Sequence, residues 1–210
     1  MFSCRACFRA RSLIAALAIA LLSPACFGGD TFFVRTAGND GWSGTSAAEA
    51  LRTISAAESK AGPGDTVYVG AGIYDEQLDG TASGSSGAAI RYIADTLGAH
   101  TSDAGEVRVR QASPSVVELS GVNHVVYEGF VFESTGTSNA VIDVQNAGDI
   151  ALVKCRMTGG SDGVYILNSS VTLTEVRITS TADGIDIRGS SSDVGIERTR
   201  IEDVRHAIYN

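Results

Sequence analysis

With 210 residues, 44% of them hydrophobic, the chain is long enough for one domain with a sizeable core. A formal net charge of −8 argues against a phosphate-backbone partner, because nucleic-acid binders present a basic face. Twenty-four glycines, only three prolines and frequent Ser, Thr, Asn and Asp favour short strands joined by tight turns over helices.

Residues 1–25 read as a signal peptide. Arg5, Arg9 and Arg11 form a basic start, Leu13 to Leu22 is an apolar run too short to span a bilayer, and Ser23-Pro24-Ala25 is a small-x-small cleavage pattern. Export to the periplasm, the cell surface or the medium is therefore expected. Cleavage after Ala25 would leave Cys26 first, as in a lipoprotein, and only such lipidation would tie the chain to a membrane. Ser23 stands where such sites prefer Leu. Cys4 and Cys7 fall within the segment to be removed, so their C-x-x-C spacing carries no redox or zinc reading.

Thr31 to Thr36 has the character of a short strand. A helix is signalled next: Ser46 and Glu49 form a capping box, Ala50, Leu51, Ile54, Ala57 and Ala61 keep a helical period, and Gly62-Pro63 ends it. Residues 31–64 are expected to cap one end of a strand-rich body. Thr66 to Tyr74 should be a strand, and Ala89–Ile93 with Glu106–Arg110 should build the next coil. The polar stretches 75–87 and 94–105 between them are loops of a length that often carries function.

From Val117 on, the sequence repeats every 21 to 24 residues: Val117-Glu118-Leu119, Val141-Ile142-Asp143, Val164-Tyr165-Ile166, Ile185-Asp186-Ile187 and Ile208-Tyr209-Asn210. A second pattern accompanies the first four copies: Val125/Tyr127/Phe130/Phe132, Ile150/Leu152/Cys155/Met157, Val171/Leu173/Val176/Ile178 and Val194/Ile196/Thr199/Ile201. Alternation within runs means strand, and a fixed period means a stacked solenoid. The fold expected over 65–210 is an all-β, right-handed parallel β-helix, its last coil cut short at Asn210. Cys155 falls in an inward file with Phe130 and Val176, as a small buried hydrophobe.

The runs Gly38-Asn39-Asp40, Gly44-Thr45, Thr53-Ile54, Pro63-Gly64-Asp65-Thr66-Val67-Tyr68-Val69 and Gly72-Ile73-Tyr74 resemble the opening module of secreted parallel β-helix proteins of the pectate-lyase-like superfamily. That resemblance implies the fold, its right-handedness and an acidic polysaccharide as a candidate partner. Thr181 to Ile187 is also similar to the Asn-Thr-Asp-Gly run of polygalacturonases, but only Asp183 carries over. The Asp pair wanted one coil later is Arg205-His206 here, so a glycoside hydrolase of that type is rejected.

Stacked coils turn equivalent positions into files, so surface chemistry can be assigned file by file. Glu118, Ile142, Tyr165, Asp186 and Tyr209 are expected to point outward, with Ser120, Val144, Leu167 and Arg188 two positions on. Tyr165, Asp186 and Tyr209 suit a sugar; Ile142, Val144 and Leu167 suit a covering loop instead. Asn139, Asp162, Asp183 and His206 form a neighbouring file, read as a turn ladder. Alternatively, Asp162, Asp183 and Asp186 gather to hold Ca²⁺. Arg156, Arg177 and Arg200 stack on another face, where Glu175, Glu197 and Glu202 can neutralise them or uronate carboxylates can bind. For β-elimination, Arg188 and His206 are the candidate catalytic groups, whereas His100 and His124 read as ordinary polar loop residues. The competing function is a non-catalytic adhesive solenoid.

Overall fold

The computed structural model describes residues 28–179, 182–191 and 193–210, so the expected signal peptide and Cys26 lie outside it. The chain winds into a parallel β-solenoid of about six turns. Each regular coil contributes one strand to each of three sheets. The first sheet contains Thr31–Val34, Thr66–Val69, Ile90–Ala94, Asn123–Glu128, Gly148–Val153, Val171–Thr174 and Gly195–Glu197. The second runs from Gly72–Asp75 through Val107–Gln111, Val131–Ser134, Arg156–Gly159 and Arg177–Thr179 to Arg200–Glu202. The third holds Val117–Ser120, Ile142–Gln145, Asp162–Leu167, Asp183–Arg188 and His206–Tyr209. An isolated bridge from Leu78 to Val117 extends it toward the N-terminal end.

The interior is a continuous apolar column. Ile150, Leu152, Met157, Val164, Ile166, Val171, Leu173 and Ile178 are all sealed from solvent. Ile196, on the last coil described, is 37% exposed because it has a strand on one side only. Near the middle, Tyr92 stacks on Tyr127 at 4.9 Å and Phe130 on Phe132 at 5.5 Å, with Tyr127 edge-on to both phenylalanines. Cys155 is buried as expected, and burial pushes its thiol up to about 12, where it has no reactivity at neutral pH.

One corner recurs in left-handed backbone: Gly121, Asn146, Asn168 and Gly189 have φ of 71°, 51°, 50° and 66°. Asn is among the few side chains that tolerate this geometry, and here the ladder also stacks its amides, with Asn168 Nδ2 donating to Asn146 Oδ1 at 3.4 Å. This is the turn ladder of the third sheet. Asp162, Asp183 and His206, expected to form it, are instead the first residues of strands and pair with one another in register.

Three further expectations need correction. Thr66–Tyr74 is two strands in different sheets, bent where Gly72 takes φ 153°. The helix over 46–61 is interrupted. Ser46 does accept from the Glu49 N–H, at 3.2 Å, but only a 3-10 turn Ala47–Glu49 forms before the chain extends. Leu51 then pairs its backbone with Phe33 of the first strand and with Arg35 just beyond it. The helix proper, Ile54–Glu58, starts afresh at Thr53, whose side chain accepts from Ala56, while Glu76 takes the N–H groups of Ile54 and Ser55. Capping groups remote in sequence thus override a locally good helix.

The third correction is a one-residue slip. Val117 pairs with Ile142, and Ile142 with Val164, so Asp143 stands between Glu118 and Tyr165. Val141 occupies the preceding corner file with Val116, Gly163 and Gly184. That corner is crowded: a Cβ on Gly163 would overlap the Ile178 side chain, and one on Gly184 the Ile201 side chain. Val141 and Ile142 are both fully buried, so adjacent apolar residues concealed the true phase of the alternation. Ile142 and Val144 therefore point inward, while Asp143 and Gln145 are the outward residues.

Glu58 is buried against the aromatic cluster of the core. It is 1% exposed and accepts from Tyr127 Oη at 3.0 Å and from the Asp79 N–H at 3.3 Å. Burial raises its carboxyl to about 7, above the ordinary glutamate value, so folding takes up a proton there. A raised folded-state pKa makes this contribution complete below about pH 4.3 and lost as the pH climbs through 7. Chemical denaturation across that window is expected to show stability falling by about 3 kcal/mol as pH rises, and Glu58→Gln is expected to flatten the fall. An unchanged slope in the variant would assign the pH dependence to other groups.

Candidate functional site

The outward file of the third sheet is Glu118, Asp143, Tyr165, Asp186 and Tyr209, one residue per coil. Two positions on lie Ser120, Gln145, Leu167 and Arg188. The covering apolar patch expected from Ile142 and Val144 does not exist. A polar face takes its place.

At one end of the file, Asp186 is 5% exposed. Arg188 grips it in a two-point fork, Nε to Oδ1 at 2.7 Å and Nη2 to Oδ2 at 3.0 Å. The guanidinium also lies 4.7 Å from the centre of the Tyr209 ring. Hydrogen bonding to Asp186 holds the Arg188 proton more firmly than in water. Arg188 is thus a fixed cation flanked by Tyr165 and Tyr209, suited to hold an oxygen rather than to remove a proton.

The neighbouring file brings Asp162, Asp183 and His206 into register, and His206 Nδ1 lies 2.6 Å from Asp183 Oδ1. Asn139 is displaced from this file; its amide donates to Ser113 Oγ at 3.2 Å. One carboxylate oxygen from each of Asp162, Asp183 and Asp186 falls within 4.8 Å of the others, as the calcium reading requires. The donor set fits a hard cation poorly as it stands. Asp186 is taken by Arg188, Asp183 faces His206, and Ser161 Oγ donates to Asp162 at 2.8 Å.

At the other end, an open cleft of about 290 Å³ is lined by Ser115, Asn139, Asp143, Ser161, Asp162 and Tyr165 among others. Gln145 Nε2 donates to Asp143 Oδ2 at 3.0 Å, while Oδ1 is closed off and accepts from no described residue. Burial and the Glu118 charge raise the Asp143 carboxyl, against the Gln145 hydrogen bond. Asp143 was hidden from sequence reading by the register slip. The signal that would have found it is the spacing of Glu118, Asp143, Tyr165 and Asp186 at 25, 22 and 21 residues.

Arg156, Arg177 and Arg200 do form one file on the second sheet. Each has a glutamate partner, and Arg177 and Arg200 share one. Arg156 pairs with Glu106, Arg177 with Glu202 at 2.8 Å, and Arg200 with Glu202 at 2.5 Å. Glu175 and Glu197, expected as partners here, pair with Arg198 instead. His100 stacks on Tyr68 at 3.7 Å, and His124 lies 3.0 Å from Asp149. Both belong to local structure away from the third sheet.

No protein family profile and no curated protein matches the chain. Among solved structures, a rhamnogalacturonan lyase is similar with a TM-score of 0.63 at 14% identity, over 87% of this chain and 63% of its own. A GH136 lacto-N-biosidase from Eubacterium ramulus is similar with a TM-score of 0.62 at 13% identity, over 83% of this chain and 40% of its own. The chain thus spans less than two thirds of each of these proteins. At such identities the likeness establishes the β-solenoid alone.

The fork makes a direct prediction. Arg188→Ala leaves the buried Asp186 carboxylate without its partner and is expected to lower the urea midpoint clearly. Adding Asp186→Asn should restore most of the loss, because the orphaned charge is then gone. Equal midpoints for wild type and Arg188→Ala would show that the fork contributes nothing.

Proposed function

We propose that the outer face of the third sheet binds a carbohydrate chain. The supporting observation is the succession Tyr165, Asp186–Arg188 and Tyr209 on consecutive coils. Two phenol rings flank a fixed, charge-paired polar group at the ~4.8 Å coil spacing. Rings of this kind cover the C–H face of a sugar, while the guanidinium and carboxylate meet its hydroxyls. The β-solenoid itself is shared with two proteins named for a polysaccharide lyase and a glycosidase, which supports carbohydrate as the ligand class. The signal-peptide-like start supports export to where extracellular glycans are met.

Two finer readings follow. Arg188 offers a cation for one uronate carboxylate of an acidic polymer, and the Arg156, Arg177 and Arg200 file would offer more only by exchanging its present glutamate partners. Cleavage of such a polymer by β-elimination needs a base at the sugar's acidic C–H. His206, hydrogen-bonded to Asp183, fits that role better than Arg188.

A glycan array carrying neutral and uronate-bearing oligosaccharides tests the proposal. Wild-type protein is expected to bind a defined subset of spots, and Tyr165→Ala and Tyr209→Ala should each weaken binding about tenfold, the scale of one ring contact. A blank array would favour a solenoid that only displays its loops. Binding indifferent to both tyrosines would place the ligand elsewhere.

A further inference from the structure

The cleft beside Tyr165 differs from the Arg188 end of the same face in having no cation. Among the described residues no Lys, Arg or His lines it, while Asp143 and Asp162 do. The groups facing Asp143 are Glu118 on the coil before, Tyr165 on the coil after, Gln145 on its own strand and Asp162 across the cleft. Among the described residues only Gln145 donates to it, and Gln77 Nε2 is spent on Glu118 at 3.0 Å. A uronate placed here would meet carboxylates alone, so an uncharged sugar residue is the occupant this lining admits.

Resting on the carbohydrate reading, we infer that this cleft is a subsite for a neutral sugar that binds together with a proton taken up by Asp143. One carboxylate oxygen is already closed off without a hydrogen-bond donor among the described residues, and the other has a single amide. A sugar seated over the cleft strips water from what remains exposed. That raises the cost of the charged form and leaves the neutral acid almost untouched. The apo carboxyl is already raised by burial and by Glu118, so the ligand enlarges an existing bias. By linkage, affinity is greatest at acidic pH and falls as pH rises, by up to about tenfold per pH unit above the free-state midpoint. The Asp143 side chain thereby makes glycan capture pH-dependent without touching the Arg188–Asp186 pair.

The test is the glycan array read at about pH 4.5, 6 and 7.5, spanning the range above the usual carboxylate value, with wild type, Asp143→Asn and Tyr165→Ala. The asparagine variant mimics the neutral acid in shape and cannot ionise. It is expected to bind neutral oligosaccharides equally at all three pH values, at the strength wild type reaches only at the lowest. Wild-type binding that is flat with pH, or an Asp143→Asn profile that still falls as wild type does, overturns the inference while leaving the carbohydrate reading intact. Binding confined to uronate spots overturns the neutral-sugar assignment. A blank array at every pH removes the carbohydrate reading, and this inference with it.

Discussion

Each coil hydrogen-bonds its backbone to the next in parallel, and every other property of this protein depends on that pairing. Three sheets climb the same axis, so a residue's neighbours above and below are fixed by register and not by its own chemistry. Inward files on the strands must therefore be largely apolar, as Val125, Ile150 and Val171 show. The crowded corner must be small where side chains from the second sheet press on it, which is why Gly163 and Gly184 continue a file begun by Val116 and Val141.

The same pairing stacks like charges at about the inter-strand spacing of ~4.8 Å, and the molecule resolves each case differently. Arg156 pairs with Glu106 two coils away, while Arg177 and Arg200 share Glu202 on the strand of Arg200. Asp186 is held by Arg188, Asp183 faces His206, and Glu118 takes an amide from Gln77. Asp143 meets no cation among the described residues and keeps a closed-off oxygen, so it carries its cost in its own proton equilibrium. The third-sheet face accordingly has two characters: a charge-paired end between tyrosines, and an anionic end where protonation and ligand occupancy are coupled.

Much of this was legible in the sequence. Alternation in Val171-Thr172-Leu173 and its equivalents marks strands, the period marks the solenoid, and the arginine file emerges from counting. The phase error at Val141-Ile142 shows where counting fails. Two successive buried β-branched residues satisfy either register, and only backbone pairing decides between them. That slip exchanged Asp143 and Gln145 for Ile142 and Val144, and so hid half the candidate site. The helix at 46–61 failed for another reason. Its local signals were sound, but Asp40 and Glu76, distant in sequence, cap a later start and the first strand claims Leu51.

Register is therefore the quantity to measure. Paired cysteines at Asp143 and Tyr165 would sit opposite each other on adjacent coils, within the reach of a disulfide of about 4.4–6.8 Å between Cα atoms. Paired cysteines at Ile142 and Tyr165 would point to opposite faces of the sheet. Mild oxidation and then peptide mass mapping should find the crosslink in Asp143→Cys/Tyr165→Cys and not in Ile142→Cys/Tyr165→Cys. The reverse result would move every outward residue of that coil into the core, and the site described here with it.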